Sequence, residues 1–391
     1  MTAPDTLCVI VNKDHAAISL SETFLRAHIS RLPFPTLSVV GNPGGRRLDS
    51  GTGSFLLPRA TPVRALRWAL DRSGVLSVAR QDTTSLVRYF RAASVAVVLA
   101  EYGHSALSVL DACEAAGVPL VSHFHGWDAY VLASQPEHRA RYQRLFERSE
   151  AIVAVSRHMR QHLITLGAPA ERTIWNPCGA EPDPTPAAPA DAPPLFVSVG
   201  RSTPKKAVCV ILLAFAEVVR QVPDARLELA GGDADPIVHQ LTRALGLSHA
   251  VRFHGPMEHP DVLRLIRRAR CYVHPSVTAP NGDMEGTPVA VLEAMAAGVP
   301  VVSSRHGGII DLLEATSAGI LAPEFDVGAT ADAMLCYAAD AERAGRDGRE
   351  GRRLLESRWS MDRSLASLTH VVEAARHRDR AALAVLAQQG R

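Results

Sequence analysis

The segment AAGVPLVSHFHG at positions 115 to 126 returns 181 positions later as AAGVPVVSSRHG at 296 to 307, with Ala, Ala, Gly, Val, Pro, Val, Ser, His and Gly matching in order. Each copy spells a helix end, a glycine stop, a proline that forbids continuation, a buried strand and a loop carrying His-Gly. Two such units this far apart constrain the chain to two similar α/β domains with parallel sheets. In open parallel sheets ligands bind past the carboxyl ends of the strands. His125 and the surroundings of the second copy are therefore candidates for function.

The second copy sits in a longer signalled stretch, PNGDMEGTPVAVLEAMAAGVPVVSSRHGG at 280 to 308. Thr287 is expected to cap a helix with Pro288 at its first position, where a missing N–H costs nothing. Val289, Val291, Leu292, Met295 and Ala296 recur at helical spacing until Gly298 and Pro300 end the run. Glu285 then lies in the loop before the helix, and Glu293 about two turns into it. A ligand at that helix N-terminus meets free N–H donors with a carboxylate on either side, which suits an anionic, hydroxyl-rich molecule.

At 391 residues the chain is long for one core. Its 47% hydrophobic and 21% charged residues are globular values. No apolar run reaches the length that spans a bilayer. The start, MTAPDTLCVIVNKDHA, has no basic leader before its apolar run, so no secretory signal is expected. Cys8, Cys113, Cys178, Cys209, Cys271 and Cys336 show no zinc-type spacing, and a reduced cytoplasmic protein follows. A net charge of +2 gives no case for a dedicated nucleic-acid binder.

In chain order, TLCVIVN at 6 to 12 reads as a buried strand, and the spacing of Ser19 and Glu22 starts a helix near Leu20. The glycine-rich, basic connection after TLSVV has two readings. It is an acceptor-side flap in which Arg46, Arg47, Arg59, Arg64 or Arg67 meets an acidic acceptor or lipid head group, or it is a solvated surface loop, the favoured reading. SVAVVLAEYG is another strand and loop. Arg139, Arg141, Arg144 and Arg148 alternate with Leu145 and Phe146 on a helix, as a solvated face or as a surface for peripheral contact with anionic lipid. Ser156 caps the next helix. Seven prolines between Pro177 and Pro194 make an extended linker. LFVSVG, ARLELAGGD, AVRFHGPM and CYVHPS follow as strands, with Phe253 to Pro256 at the third strand end. Around His125, a satisfied buried histidine competes with a ligand-binding one. A metal triad of His123, His125 and Asp128 fails because His123 falls in the strand and no further ligand is signalled.

Glu285 and Glu293 in EGTPVAVLE, with the flank HPSVTAPNGDMEG, resemble the paired-glutamate motif of retaining family 4 glycosyltransferases, in their sugar-polymer branch. SETFLRAHI is similar to the same branch, and FHGWD resembles the family's acceptor-domain histidine motif. The resemblance implies the GT-B fold, two facing Rossmann-like domains with a cleft between them. It gives Glu285 the sugar hydroxyls, Glu293 the ribose diol, and His125 a hydrogen bond to the transferred sugar. Arg201 and Lys206 match the arginine and lysine that neutralise the donor diphosphate, with Ala207 where a glycine is usual. Gly200, His254, Gly255, Gly286, Thr287 and Pro288 complete the donor-binding set, the strand end near His254 flooring the nucleobase pocket. Relatives carry a glycine pair in the first loop, absent from NKDHAAIS, and Ile310 and Asp311 replace their proline and glutamate.

The expected organisation is an acceptor-binding domain over 1–176, a linker over 177–194, a nucleotide-sugar domain over 195–358, and a C-terminal helix over 359–391 that returns to the first domain, with Trp359 at the crossover. The expected activity is metal-independent, retaining transfer of a hexose-like sugar from a nucleoside diphosphate to a glycan, lipid-linked oligosaccharide or small molecule. No cofactor is implied, and uridine diphosphate is favoured over guanosine diphosphate. The alternatives are a nucleotide-sugar epimerase and a non-catalytic partner in glycan assembly. The location is cytoplasmic, with peripheral contact at the inner membrane face as an option.

Overall fold

The computed structural model describes residues 6–12, 23–43, 45–48, 54–56, 78–232, 235–314 and 316–389. They form two compact units, Met1–Asn176 with Leu365–Arg391, and Pro177–Ser364. Each is a Rossmann-like α/β unit.

The first unit holds β1 (Thr6–Val11), β2 (Thr36–Val40), β3 (Arg47–Leu48), β4 (Ser54–Phe55), β5 (Val95–Glu101), β6 (Leu120–Phe124), β7 (Ala151–Ala154) and β8 (Thr173–Trp175). They run in the order β4-β3-β2-β1-β5-β6-β7-β8. From β2 to β8 every pairing is parallel, while β3 and β4 add an antiparallel edge. Strands β1, β5, β6 and β7 are buried almost throughout, which is why β1, β5 and β7 read as nearly continuous apolar runs rather than alternating ones, while β6 buries Ser122 and His123 among its apolar residues. The order reverses between β1 and β5, where Val11 pairs with Glu101, and Glu101 pairs in turn with His123 of β6. A carboxylate and an imidazole thus lie side by side at the carboxyl edge of the switch point, the usual ligand position in such sheets.

The second unit holds β9 (Leu195–Val199), β10 (Arg226–Ala230), β11 (Val251–Gly255), β12 (Cys271–His274), β13 (Val301–Ser304) and β14 (Gly319–Ala322), in the order β11-β10-β9-β12-β13-β14. All five pairings are parallel. This is the doubly wound strand order of dinucleotide-binding sheets, with its switch point between β9 and β12. One face is covered by the helices Val208–Gln221 and Val327–Ala339, whose Ile211, Phe215, Met334 and Tyr337 pack on Phe196, Val273 and Val302 of the strands.

The repeated segments have the same local structure. The helices Gly103–Ala116 and Val289–Ala297 end at Gly117 and Gly298, whose φ values of 75° and 77° form left-handed caps, and β6 and β13 follow. Two details of the second copy differ from expectation. Pro288 is the N-cap itself, with ψ of 109° and no side-chain capping bond, so the helix starts one residue later than a proline at its first position implies. Glu293 is consequently its fifth residue, just over one turn in rather than two.

Arg46 corrects the reading of the glycine-rich connection. It is 1% exposed. Its guanidinium donates to Asp82 Oδ2 at 2.8 Å, Asn12 Oδ1 at 3.0 Å and Ser108 Oγ at 2.8 Å. A buried arginine this fully paired holds the β2–β3 turn to the sheet and is unavailable to an acceptor or lipid. Ser19, Leu20, Glu22, Arg59, Arg64 and Arg67 lie outside the described residues. Ser156 caps the helix Arg157–Thr165 by accepting from Met159 N–H. On the helix Arg139–Arg148, Arg144 pairs with Asp111 and Glu114, and Arg148 with Glu114, so much of the basic face is neutralised by the neighbouring helix.

The proline-rich segment lies along the second unit. Ala180 bridges to Ser360, Asp183 pairs with Arg267 at 3.0 Å, and Ala187 N–H donates to Ala297 O. Trp359 is buried and its carbonyl accepts from Ala180 N–H. The C-terminal helix Arg380–Gln389 packs in the first unit, where Arg160 donates to Ala387 O and both Arg378 and Arg380 pair with the buried Glu150. No helix among the described residues is long and apolar enough to cross a membrane.

Candidate functional site

In the second unit the loops after β9 and β12 meet at the switch point. Gly200 follows β9, its N–H donating to Ala230 O, and a Cβ there would stand 3.3 Å from the Lys206 stem. The short turn Pro204–Lys206 then reverses the chain into the helix Val208–Gln221 through Ala207, whose φ of 47° and ψ of 42° are left-handed. Alanine thus adopts the conformation for which a glycine is usual, and the loop geometry is kept at the cost of local strain.

Lys206 Nζ lies 2.6 Å from Glu285 Oε1 and 3.1 Å from His274 Nε2. Burial opposes the charge on Glu285, but Lys206, Lys205 and His274 outweigh it and hold its carboxyl far below the usual range. Burial lowers Lys206, and Glu285 opposes that shift. Glu285 is therefore ionised at neutral pH, and its carboxylate 2.6 Å away favours the ammonium form of Lys206. Arg201 is exposed and close enough to depress Lys206 further.

The loop that carries Glu285 is fixed from three sides. Lys205 Nζ pairs with Asp283 Oδ1 at 3.1 Å and donates to Met284 O. The Glu285 N–H donates to His306 Nε2 at 3.1 Å, and His306 Nδ1 lies 2.6 Å from Glu324 Oε1. Because Nε2 accepts from a backbone N–H, the His306 proton sits on Nδ1 and is given to Glu324. Gly307 has φ of 44°, and a Cβ there would stand 2.5 Å from Glu285 O. The His-Gly pair of the second repeat is thus a seat for Glu285. Gly286, Thr287 and Pro288 are buried at the entrance of the following helix.

Two expected donor residues have other partners. Glu293 Oε1 lies 2.7 Å from His259 Nε2. His254 Nε2 lies 2.7 Å from Glu228 Oε2. Gly255 ends β11 and accepts from Gly231 N–H.

In the first unit, His125 follows β6 and belongs to a cluster around Glu101. That carboxylate is wholly buried, with Oε1 2.6 Å from His28 Nδ1 and Oε2 2.7 Å from His125 Nε2 and 3.1 Å from His123 Nδ1. Burial opposes its charge, yet His123 and His28 lead the groups that hold its pKa well below the usual carboxylate range. An ionised carboxylate only accepts, so His125 donates Nε2–H to it. Burial and the neighbouring His123 lower the His125 pKa, the ring is neutral, and Nδ1 is left as an acceptor. Asp128 accepts from the backbone N–H groups of Gly103, His125 and Gly126 and so clamps this loop to the start of the preceding helix, Gly103–Ala116. Glu101, His274, His306 and His259 carry no sequence signal of their own, except that His306 is the repeat partner of His125.

Residues 181–353 match the family model of glycosyl transferases group 1, and residues 38–183 that of glycosyltransferase family 4. An amylovoran biosynthesis glycosyltransferase of Erwinia amylovora is 36% identical over 219 residues, covering 55% of this chain and 54% of its own. A putative colanic acid biosynthesis glycosyltransferase of Escherichia coli is 33% identical over 218 residues, with the same coverage. The chain spans about half the length of these curated relatives in the match. Among solved structures, sucrose-phosphate synthase from Thermosynechococcus elongatus has a TM-score of 0.72 at 19% identity, covering 93% of this chain and 97% of that one. Anabaena HepE in complex with UDP and glucose has a TM-score of 0.71 at 17% identity, covering 95% and 100%. These two share the fold.

Proposed function

Because the chain belongs to the glycosyltransferases of the group 1 and family 4 kind and has the GT-B fold, we propose that it moves a hexose-like sugar, with retention, from a nucleoside diphosphate to a hydroxyl of a glycan or lipid-linked oligosaccharide. The observation that carries this reading is the Lys206–Glu285 pair, 2.6 Å apart at the switch point of the second sheet and just ahead of a helix N-terminus. Lys206 and the exposed Arg201 take the diphosphate. As the bond from the anomeric carbon to the phosphate oxygen breaks, negative charge grows on the leaving oxygens, and two fixed cations stabilise that state more than the ground state. Glu285 takes sugar hydroxyls and Glu293 the ribose diol. His125 contributes an acceptor nitrogen for a hydroxyl proton. The acceptor oxygen bonds to the anomeric carbon on the face the diphosphate leaves, and its proton passes to the diphosphate.

UDP is the favoured nucleotide, in keeping with the UDP and UDP-glucose in the Anabaena structures, and the sugar-polymer relatives favour a glycan acceptor. Any contact with an anionic membrane falls to Arg139 and Arg141, since Arg144 and Arg148 are paired. The test is release of nucleotide from a panel of UDP- and GDP-sugars, with and without a crude glycan acceptor pool, in buffer with and without EDTA. Acceptor-dependent release that survives EDTA is expected. Release without acceptor would indicate an epimerase, and no release a binding partner. Loss on chelation restored by magnesium would replace the two-cation mechanism with a metal-assisted one.

A further inference from the structure

Tyr272 and His274 lie two residues apart on β12 and so project from the same side of the strand. Both are buried. The imidazole of His274 stands between the Tyr272 hydroxyl, 3.2 Å from Nδ1, and Lys206 Nζ, 3.1 Å from Nε2. An ammonium has three N–H donors and no acceptor, so Nε2 must present a lone pair. The ring is therefore neutral with its proton on Nδ1, and that N–H is given to the Tyr272 oxygen. Tyr272 in turn gives its own proton to Val199 O, 3.2 Å away, at the end of β9. The chain of donors runs from Lys206 through His274 and Tyr272 to the backbone just before Gly200 and Arg201. Burial and the adjacent Lys206 agree with a neutral ring, pushing the His274 pKa down to about 3.

We propose that His274 is a positioning residue: held as the Nδ1–H tautomer, it fixes the Lys206 ammonium beside Glu285 with one N–H left for the ligand. This rests on the reading of Lys206 as a diphosphate cation. The chemistry favours a neutral acceptor at this place. A second carboxylate would hold the ammonium equally well but would cancel its charge, whereas a neutral imidazole orients it and leaves the charge for the diphosphate. A protonated ring would repel it. Lys205 and the His306 ring also act on His274, and Glu285 is the anion that opposes them.

The test has two arms on the full chain. Long-range proton–nitrogen correlation spectra of protein labelled with 15N-histidine report the tautomer directly, the His274 signals being assigned by their loss in His274→Gln. A neutral Nδ1–H ring that does not titrate down to about pH 5 is expected; an Nε2–H ring, or titration near its ordinary value of about 6.5, overturns the proposal. In the second arm, turnover is measured for His274→Leu, which removes the acceptor, and for His274→Gln, whose amide oxygen reaches toward the place of Nε2. Leu should lower kcat about tenfold or more, and Gln should recover it to within about threefold. Equal loss in both variants shows that the ring only fills space. If the wild-type protein releases no nucleotide from any donor while the tautomer is as expected, the functional reading fails and the assignment of the ring stands. If the wild type is active and the tautomer is Nε2–H, the reverse holds.

Discussion

An ammonium 2.6 Å from a carboxylate meets an incoming diphosphate with its charge already half answered, and this bears on how Glu285 and Glu293 differ. Removing Glu285 leaves Lys206 buried without its counter-ion, and a buried unpaired charge is costly. A free nucleoside diphosphate relieves that cost, so Glu285→Ala should bind UDP or GDP as tightly as the wild type or tighter. Turnover should nevertheless fall, because the contact to the flattening sugar ring is lost. Glu293 pairs with His259. If it holds the ribose diol, Glu293→Ala should weaken free UDP about tenfold, the scale of a hydrogen bond to a charged group. Calorimetry of both variants with UDP and GDP decides this. Equal weakening in the two, or weakening in Glu285→Ala alone, shows that the roles are misassigned. Legibility at this scale was uneven for a physical reason. Lys206 and Glu285 stand in recognisable text, whereas Arg46 looked like a loose surface arginine because its partners Asn12, Asp82 and Ser108 are 34 to 62 positions away. Glu101 gave no hint of three histidines because adjacency across parallel strands is not written in sequence distance.

At the scale of elements, the repeated turn and strand were legible because each boundary is local: a left-handed glycine, a proline, then a run buried on both faces. What the repeat did not reveal is that its two His-Gly loops do different work. In the first unit His125 joins the Glu101 cluster, and Asp128 ties its loop to Gly103. In the second, His306 and Gly307 support the backbone of Glu285. Helix starts were less legible, since a proline after a threonine suits either the N-cap or the first turn, and the choice falls to the tertiary position of the loop. Gly307→Ala tests the seat. The added methyl meets Glu285 O at 2.5 Å, and φ of 44° is strained for any L side chain. A loss of roughly 2 kcal/mol or more in the urea unfolding of the second unit is expected, with turnover falling further than stability alone explains. As a control, Gly117→Ala, at a glycine that is also left-handed, adds a Cβ that meets nothing within 4 Å. It should carry only the cost of its left-handed conformation, roughly 1–2 kcal/mol, and leave turnover unchanged. Equal effects on turnover would show that the position of Glu285 does not depend on this loop.

Over the whole molecule, both units keep ionisable groups buried at their switch points, and this sets how the protein responds to acid. Glu101 and Glu285 have folded pKa values below those of an unfolded chain, so the stability they confer is present above about pH 4.3 and is lost as the pH falls further. His274 acts in an earlier window. Its folded value of about 3 lies below the unfolded value of about 6.5. Between those limits the unfolded chain binds a proton that the folded chain refuses, so stability falls as the pH drops, by about 1.4 kcal/mol per pH unit for this one group. Between pH 6.5 and pH 5 that amounts to about 2 kcal/mol. The groups facing the ring are Lys206, Lys205, His306, Glu285 and Tyr272, and none of them is removed by His274→Gln. Glutamine does not titrate, so the variant should lose less stability than the wild type over this interval, and the gap between them at neutral pH should shrink or invert by about 2 kcal/mol at pH 5. Urea unfolding of the two proteins at both pH values measures it. Parallel losses would mean that the folded protein accepts a proton on His274, and with it that the ring is not held as the acceptor of Lys206.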